Sequence, residues 1–204
     1  MRVALVDYGM GNLLSVRKAL QVVGLEVVQT SDPDFLPEAD AIVLPGVGAF
    51  RDAVRNLKAS GIWDQLKKQI EEGKPFLGIC LGLQLLFERS YEFGEEEGLG
   101  VLRGEVVLLP HTVRVPHIGW NQIFRKKDSP VLEGVPDGAY LYFVHSYHVV
   151  PKDPSCILTV TDYGIDFVSS VEWENVLAVQ FHPEKSQKMG LRILKNWAKR
   201  IMDG

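Results

Sequence analysis

Cysteine is scarce in this sequence, and its scarcity excludes a good deal. Only Cys80 and Cys156 occur, with no metal or redox spacing between them, so neither a disulfide framework nor a thiolate metal site organises the chain. A reducing cytoplasm and a usable thiol are expected. Long apolar runs are also missing. None approaches the about 20 residues that cross a bilayer, and Met1-Arg2-Val3-Ala4-Leu5-Val6-Asp7 reaches an acid too early for a secretory leader. No membrane partner is expected. Basic excess is absent as well: 22 Lys and Arg stand against 26 Asp and Glu, for a net charge of −4. That balance argues against a general nucleic-acid surface. The histidines, His111, His117, His145, His148 and His182, show no zinc-ligand spacing, and neither metal nor cofactor is expected. Two glycine-rich turns, Gly9-Met10-Gly11 and Gly46-Val47-Gly48, lack what a nucleotide site needs. Leu14 and Arg51 stand where the dinucleotide fingerprint requires its third glycine, and neither turn carries the lysine of a P-loop.

What is present suits one substantial core. Hydrophobic residues make up 46% of 204, and a single domain, residues 1–204, is expected. The first half alternates strand-like and helix-like segments. Strands are expected at Val3–Val6, Leu25–Thr30, Ala41–Leu44 and Phe76–Ile79, with helices over Leu13–Val23 and from Ala49 to about Glu72, broken near Ser60-Gly61. The apolar run Leu83–Glu88 reads as a further helix. Such alternation predicts an α/β fold with a mostly parallel, flavodoxin-like central sheet flanked by helices. The second half reads as antiparallel strands: 101–109, 118–124, 140–150, 156–162, 167–173 and 176–181. Ser186–Met202 closes the chain as an amphipathic helix. Glu95-Glu96-Glu97 reads as a solvated loop. His145 and His148, three apart in one strand-like run, are expected on opposite sides of a sheet.

Gly78-Ile79-Cys80-Leu81-Gly82 carries the chemistry. A nucleophile between two glycines on a strand-to-helix turn is the elbow of α/β-hydrolase-like enzymes, here with Cys instead of Ser. A helix start at this point favours the thiolate. Cys156 has none of these features and reads as structural. His182 and Glu184 lie two residues apart, so an extended segment would bring both to one face and let the carboxylate orient the imidazole. A Cys80–His182–Glu184 triad is therefore expected. The Pro45-Gly46-Val47-Gly48 loop falls at the carboxyl end of a strand, where open α/β sheets place their sites. Its backbone, with the Leu81 N–H, is a candidate oxyanion hole.

With Gln84, these residues resemble the class I (triad) glutamine amidotransferases over nearly the whole chain. Four further segments narrow the resemblance to the branch that feeds ammonia to a (βα)8-barrel cyclase in histidine biosynthesis. They are Pro45–Phe50, Pro116–Asn121, Tyr142–Tyr147 and Gln180–Ser186. Leu83 stands where the family pattern has Met, a swap of similar size. The resemblance implies hydrolysis of L-glutamine, with the oxyanion held by Val47 and Leu81. It implies glutamine contacts from Gly48, Gln84, Glu92, Ser146 and Tyr147, and a heterodimer with the cyclase. Trp120, Asn121, Tyr142 and Lys185 are the candidates for the partner-facing edge. Two glycines flanking Val47 make a peptide flip inexpensive, so a partner-gated oxyanion loop is expected. The competing readings are a stand-alone cysteine hydrolase or peptidase, an amidotransferase subunit of another synthase, and a binding module without chemistry.

Overall fold

Strands that are apolar along a continuous run need cover on both faces, and β1 (Arg2–Val6, apolar from Val3 on), β3 (Ala41–Gly46) and β4 (Phe76–Cys80) are of this kind. A computed structural model, which describes residues 1–203, buries them as neighbouring interior strands of a nine-stranded sheet. With β2 (Glu26–Thr30) and β13 (Val176–Val179) they form a parallel block in the order β2-β1-β3-β4-β13. Antiparallel strands continue it: β12 (Asp166–Trp173), β11 (Ile157–Asp162), β8 (His117–Arg125) and β9 (Ala139–His145). A second sheet of four strands has the order β10-β7-β5-β6, built from β5 (Phe87–Ser90), β6 (Glu96–Glu97), β7 (Leu102–Leu108) and β10 (Tyr147–Pro151).

Alternation of side chains splits the core in two. Ala4, Val6, Ile42 and Leu44 face one layer, where α2 (Phe50–Ala59) and α3 (Ile62–Glu71) deliver Phe50, Leu57 and Leu66. Val3, Leu5, Ala41 and Val43 face the other, where α1 (Leu13–Val22) and α5 (Gln187–Asp203) deliver Leu20, Ile193, Leu194 and Trp197. Each of these large side chains contributes roughly 1.5–3 kcal/mol by leaving water. Asn12 caps α1 by accepting from the Ser15 N–H. The expected break between α2 and α3 falls at Gly61, whose φ of 74° is open to glycine at no steric cost.

Four expectations fail. The run Leu83–Glu88 is not a helix: α4 is the single turn Leu81–Gln84, and Phe87–Ser90 becomes β5, paired to β7. Residues 140–150 are two strands in two different sheets, divided at Ser146. That division undoes the alternation expected of His145 and His148, whose rings both pack near Phe167, at 4.9 and 6.2 Å. Glu96 and Glu97 form the short edge strand β6 rather than part of a free loop.

Candidate active site

Strand register brings the separate motifs together. Gly46 on β3 lies opposite Cys80 on β4, so the Val47-Gly48 turn leaves the sheet beside the sulfur. On the other flank Val179 of β13 lies opposite Ile79, and the next residues, Gln180 to His182, emerge at the same edge. All three strands run parallel, and this is their carboxyl edge, where such sheets leave a crevice.

Cys80 is held in a sparsely populated backbone conformation, φ 55° and ψ −104°. Strain of this kind persists only where the surroundings over-determine it. Gly78 and Gly82 supply that constraint. A Cβ on Gly82 would sit 1.9 Å from the Leu44 carbonyl oxygen, and one on Gly78 would sit 2.8 Å from the Gly82 backbone. Gly82→Ala is therefore expected to cost about 3 kcal/mol or more, read as a lowered midpoint in urea unfolding. An unchanged midpoint would mean that the turn has slack which these distances deny.

The Cys80 side chain is buried. Its thiol donates to the Val144 carbonyl at 3.8 Å, and its sulfur accepts from Gln180 Nε2 at 3.5 Å. His182 and Glu184 are almost wholly enclosed and bonded Nδ1 to Oε1 at 2.8 Å. The backbone that achieves this is not a continuous extended segment. His182 is extended, but Pro183–Lys185 is a 3-10 turn that swings the carboxylate back onto the ring. Ser186 pins the turn to β9. Its hydroxyl donates to the His182 carbonyl at 2.6 Å and accepts from the Tyr142 N–H at 2.9 Å, while the His182 N–H donates to the Tyr142 carbonyl at 2.8 Å.

His182 Nε2 is buried with no hydrogen-bond partner. Burial disfavours the imidazolium, but the adjacent Cys80 sulfur and then the Glu184 carboxylate outweigh it, and the His182 pKa is pushed up to about 10. The sulfur thus acts on the ring from nearby without a formed hydrogen bond, leaving Nε2 available for a proton in transit. Because α4 is one turn long, little helix dipole reaches Cys80. The histidine, rather than a helix, is the cationic neighbour.

In front of the sulfur lies a cavity of about 300 Å³. Gly48, Gln84, Glu92, Ser146 and Tyr147 all line it, together with Val47 and Leu81. Leu81 opens α4, so its N–H has no partner within the helix. Two of the lining side chains are already engaged. Gln84 Nε2 donates to the Tyr147 carbonyl at 3.0 Å and to Gln180 Oε1 at 3.2 Å. Glu92 Oε2 accepts the Phe50 N–H at the start of α2, at 2.7 Å. Burial raises the Glu92 pKa, the Phe50 bond opposes that, and Asp52 adds to it.

The surface candidates separate. Trp120 is 46% exposed, so it is no core aromatic. Its ring meets Tyr142 edge-on at 6.0 Å, and Lys185 Nζ lies 5.9 Å from the Tyr142 ring centre. Exposed Tyr140 on β9 and Ile118 on β8 enlarge this apolar face. Asn121 differs. Its side chain is spent inside the chain, on Asp162, His117 and the Gln122 N–H.

The sequence profile described as Glutamine amidotransferase class-I matches residues 4–201. The chain belongs to the class I glutamine amidotransferases. Two relatives, each called "Imidazole glycerol phosphate synthase subunit HisH", match this amidotransferase over nearly all of its length. That of Aquifex aeolicus is 60% identical, over 98% of this chain and 97% of its own. That of Pyrococcus furiosus is 55% identical, over 96% and 97%. A solved structure described as a glutamine amidotransferase superposes with a TM-score of 0.77 at 22% identity, over 98% of both chains, and shares the fold. Three residues of the amidotransferase site escaped sequence reasoning. Gln180 and Ser186 stood in a recognised segment with no role attached. Tyr8, whose hydroxyl donates to the Pro45 carbonyl at 2.8 Å, carried no signal. Burial, and then the neighbouring Cys80, push the Tyr8 phenol pKa up.

Proposed function

We propose that this chain is, as one domain over residues 1–204, the glutaminase subunit of an imidazole glycerol phosphate synthase. The observation that carries the chemistry is the enclosed His182–Glu184 pair beside a strained Cys80 at the wall of a cavity sized for an amino acid. The full-length relatives support the assignment to this particular synthase.

The Cys80 thiolate attacks the side-chain carboxamide of L-glutamine. The tetrahedral oxyanion is held by the Leu81 N–H and the Val47 N–H. His182, as imidazolium, gives its Nε2 proton to the departing nitrogen. The C–N bond breaks, ammonia leaves, and a γ-glutamyl thioester remains on Cys80. Water then attacks the thioester with His182 as base, releasing glutamate and the thiol. Glu92 and the Ser146-Tyr147 corner hold the amino-acid end of the substrate, with Gly48 and Gln84 along its length.

Ammonia set free in neutral water is mostly protonated and ceases to be a nucleophile, so it must pass directly to an acceptor. The proposed recipient is a (βα)8-barrel cyclase docked on the Trp120–Tyr142–Lys185 face, in a heterodimer. Val47 sits between Gly46 and Gly48, whose φ is 110°, so its peptide can turn between an idle and a donating orientation as the partner binds. Glutamate release by the isolated chain is accordingly expected to be slow, and to rise at least about tenfold when the cyclase and its substrate are added. Equal rates with and without partner would sink the gating. The exposed Trp120 face disfavours the rival stand-alone hydrolase, which has no use for it.

A further inference from the structure

Two buried histidines stand outside the chemistry described so far. His117 on β8 and His145 on β9 are cross-strand partners, and His117 Nδ1 lies 3.0 Å from His145 Nε2. Their bonds run on in both directions. Asn121 Nδ2 lies 3.3 Å from His117 Nε2, and His145 Nδ1 lies 2.9 Å from the Tyr147 carbonyl. That carbonyl also accepts from Gln84, Gln84 donates to Gln180, and Gln180 donates to the Cys80 sulfur.

The polarity of the series is fixed by its ends. A carbonyl only accepts, so His145 carries its proton on Nδ1. In the neutral ring Nε2 must then accept, which makes His117 Nδ1 a donor and His117 Nε2 an acceptor. Asn121 meets it with N–H, because its own oxygen accepts from the Gln122 N–H at 2.7 Å. Every donor faces an acceptor, and an added proton on either ring would set two N–H groups against each other. Burial keeps both rings neutral, pushing His117 down to about 4 and His145 down to about 3. Proton transfer is therefore not their task. Their planes are fixed by packing: His117 is sandwiched between Phe143 at 5.0 Å and Tyr163 at 4.0 Å. A fully satisfied buried network of this kind rigidifies its members and specifies one arrangement.

We propose that the series Asn121–His117–His145–Tyr147–Gln84–Gln180 is a positioning relay that aims the Gln180 N–H at the Cys80 sulfur and ties that aim to the β8 segment beside Trp120. His117 and His145 are positioning residues, and a displacement of Asn121 is transmitted to the nucleophile through bonds that have one permitted direction. The relay deepens the glutaminase reading and rests on it for its purpose, but it can be tested without glutamine.

The test uses the full chain in a Cys156→Ser background, with Cys80 as the sole thiol, and measures carboxamidomethylation by iodoacetamide across pH. His117→Phe keeps the ring stack and removes both bonds. It is expected to slow alkylation about fivefold, the net worth of one ordinary hydrogen bond, and to move the alkylation profile to higher pH. His117→Asn, which keeps a donor in the Nδ1 position, is expected to recover most of the rate. Because the members act in series, adding Asn121→Ala to His117→Phe is expected to slow alkylation no further. Thermal melts accompany each variant. If His117→Phe does not fold, Asn121→Ala and Gln180→Leu give the same reading: each slows alkylation, and the pair slows it no more than Gln180→Leu alone. An alkylation rate equal to the parent's in a folded His117→Phe, or effects that multiply across either pair, overturns the relay. A parent chain that lacks glutaminase even with the cyclase, yet shows the alkylation pattern, overturns the function and leaves the relay standing.

Discussion

Cys80→Ala is expected to remove glutamine-dependent synthesis by the assembled enzyme almost entirely, by about 10⁴-fold or more, while synthesis fed with ammonium salt continues. The two halves of this expectation have different physical sources. Without a sulfur there is no thioester, and the oxyanion donors and His182 are left to assist direct attack by water on an amide. Fold and docking, by contrast, lose little. The Cys80 side chain makes only two long hydrogen bonds, at 3.5 and 3.8 Å, and stands at the wall of an existing cavity rather than at the centre of the core. The Trp120–Tyr142–Lys185 face is built on β8, β9 and the Pro183–Lys185 turn, not on β4. The measurement is product formation with glutamine and with ammonium in parallel, on complexes of equal melting temperature. Undiminished glutamine-dependent product would remove Cys80 from the mechanism, and loss of both activities would point to the fold instead.

How far such a site is legible beforehand depends on whether its parts are local in sequence. The elbow is local: a glycine on each side of Cys80 is needed because one backbone passes over another, and Gly82 shows how closely. His182 and Glu184 are local too, although a 3-10 turn rather than a strand presses them together. The parallel block was legible because β3, β4 and β1 from Val3 on are unbroken apolar runs. Leu83–Glu88 misled because an apolar run has no period to distinguish helix from strand. Pairing of Phe87 with Leu102 decided the matter, and that is a tertiary fact. The split at Ser146 is of the same kind, since half of the run finds β8 and half finds β7. The His117–His145 pair was hidden most deeply. Nothing in the spacing of the two histidines marks them as neighbours until β8 and β9 are set in register. Gln180 was visible as a letter in a motif, but its aim at the sulfur exists only in three dimensions.

The largest effect expected away from the nucleophile is that of Glu184→Gln. The amide oxygen still accepts the His182 Nδ1–H, so the ring keeps its place, but the charge is gone. Glu184 is one of the influences that lift the His182 pKa to about 10 against the pull of burial, so the variant's imidazole titrates lower. The sign follows for both stability and rate. A histidine whose folded pKa is raised stabilises the fold fully below its unfolded value near 6.5 and loses that contribution as pH rises through the folded value. In the variant that contribution is smaller, so the folded chain is expected to be less stable than the parent near pH 6.5, with the deficit shrinking as pH rises towards about 10. For the reaction, the imidazolium that protonates departing ammonia is depleted at lower pH, so the alkaline limb of kcat moves down the scale. A fall in kcat of about 10²-fold or more at neutral pH is expected, the usual worth of a positioned acid–base group. The check is a pH profile of glutaminase kcat for the complex, with urea midpoints at matched pH. If the alkaline limb stays where the parent has it, Glu184 orients the ring without tuning it, and the source of the raised pKa is the sulfur alone.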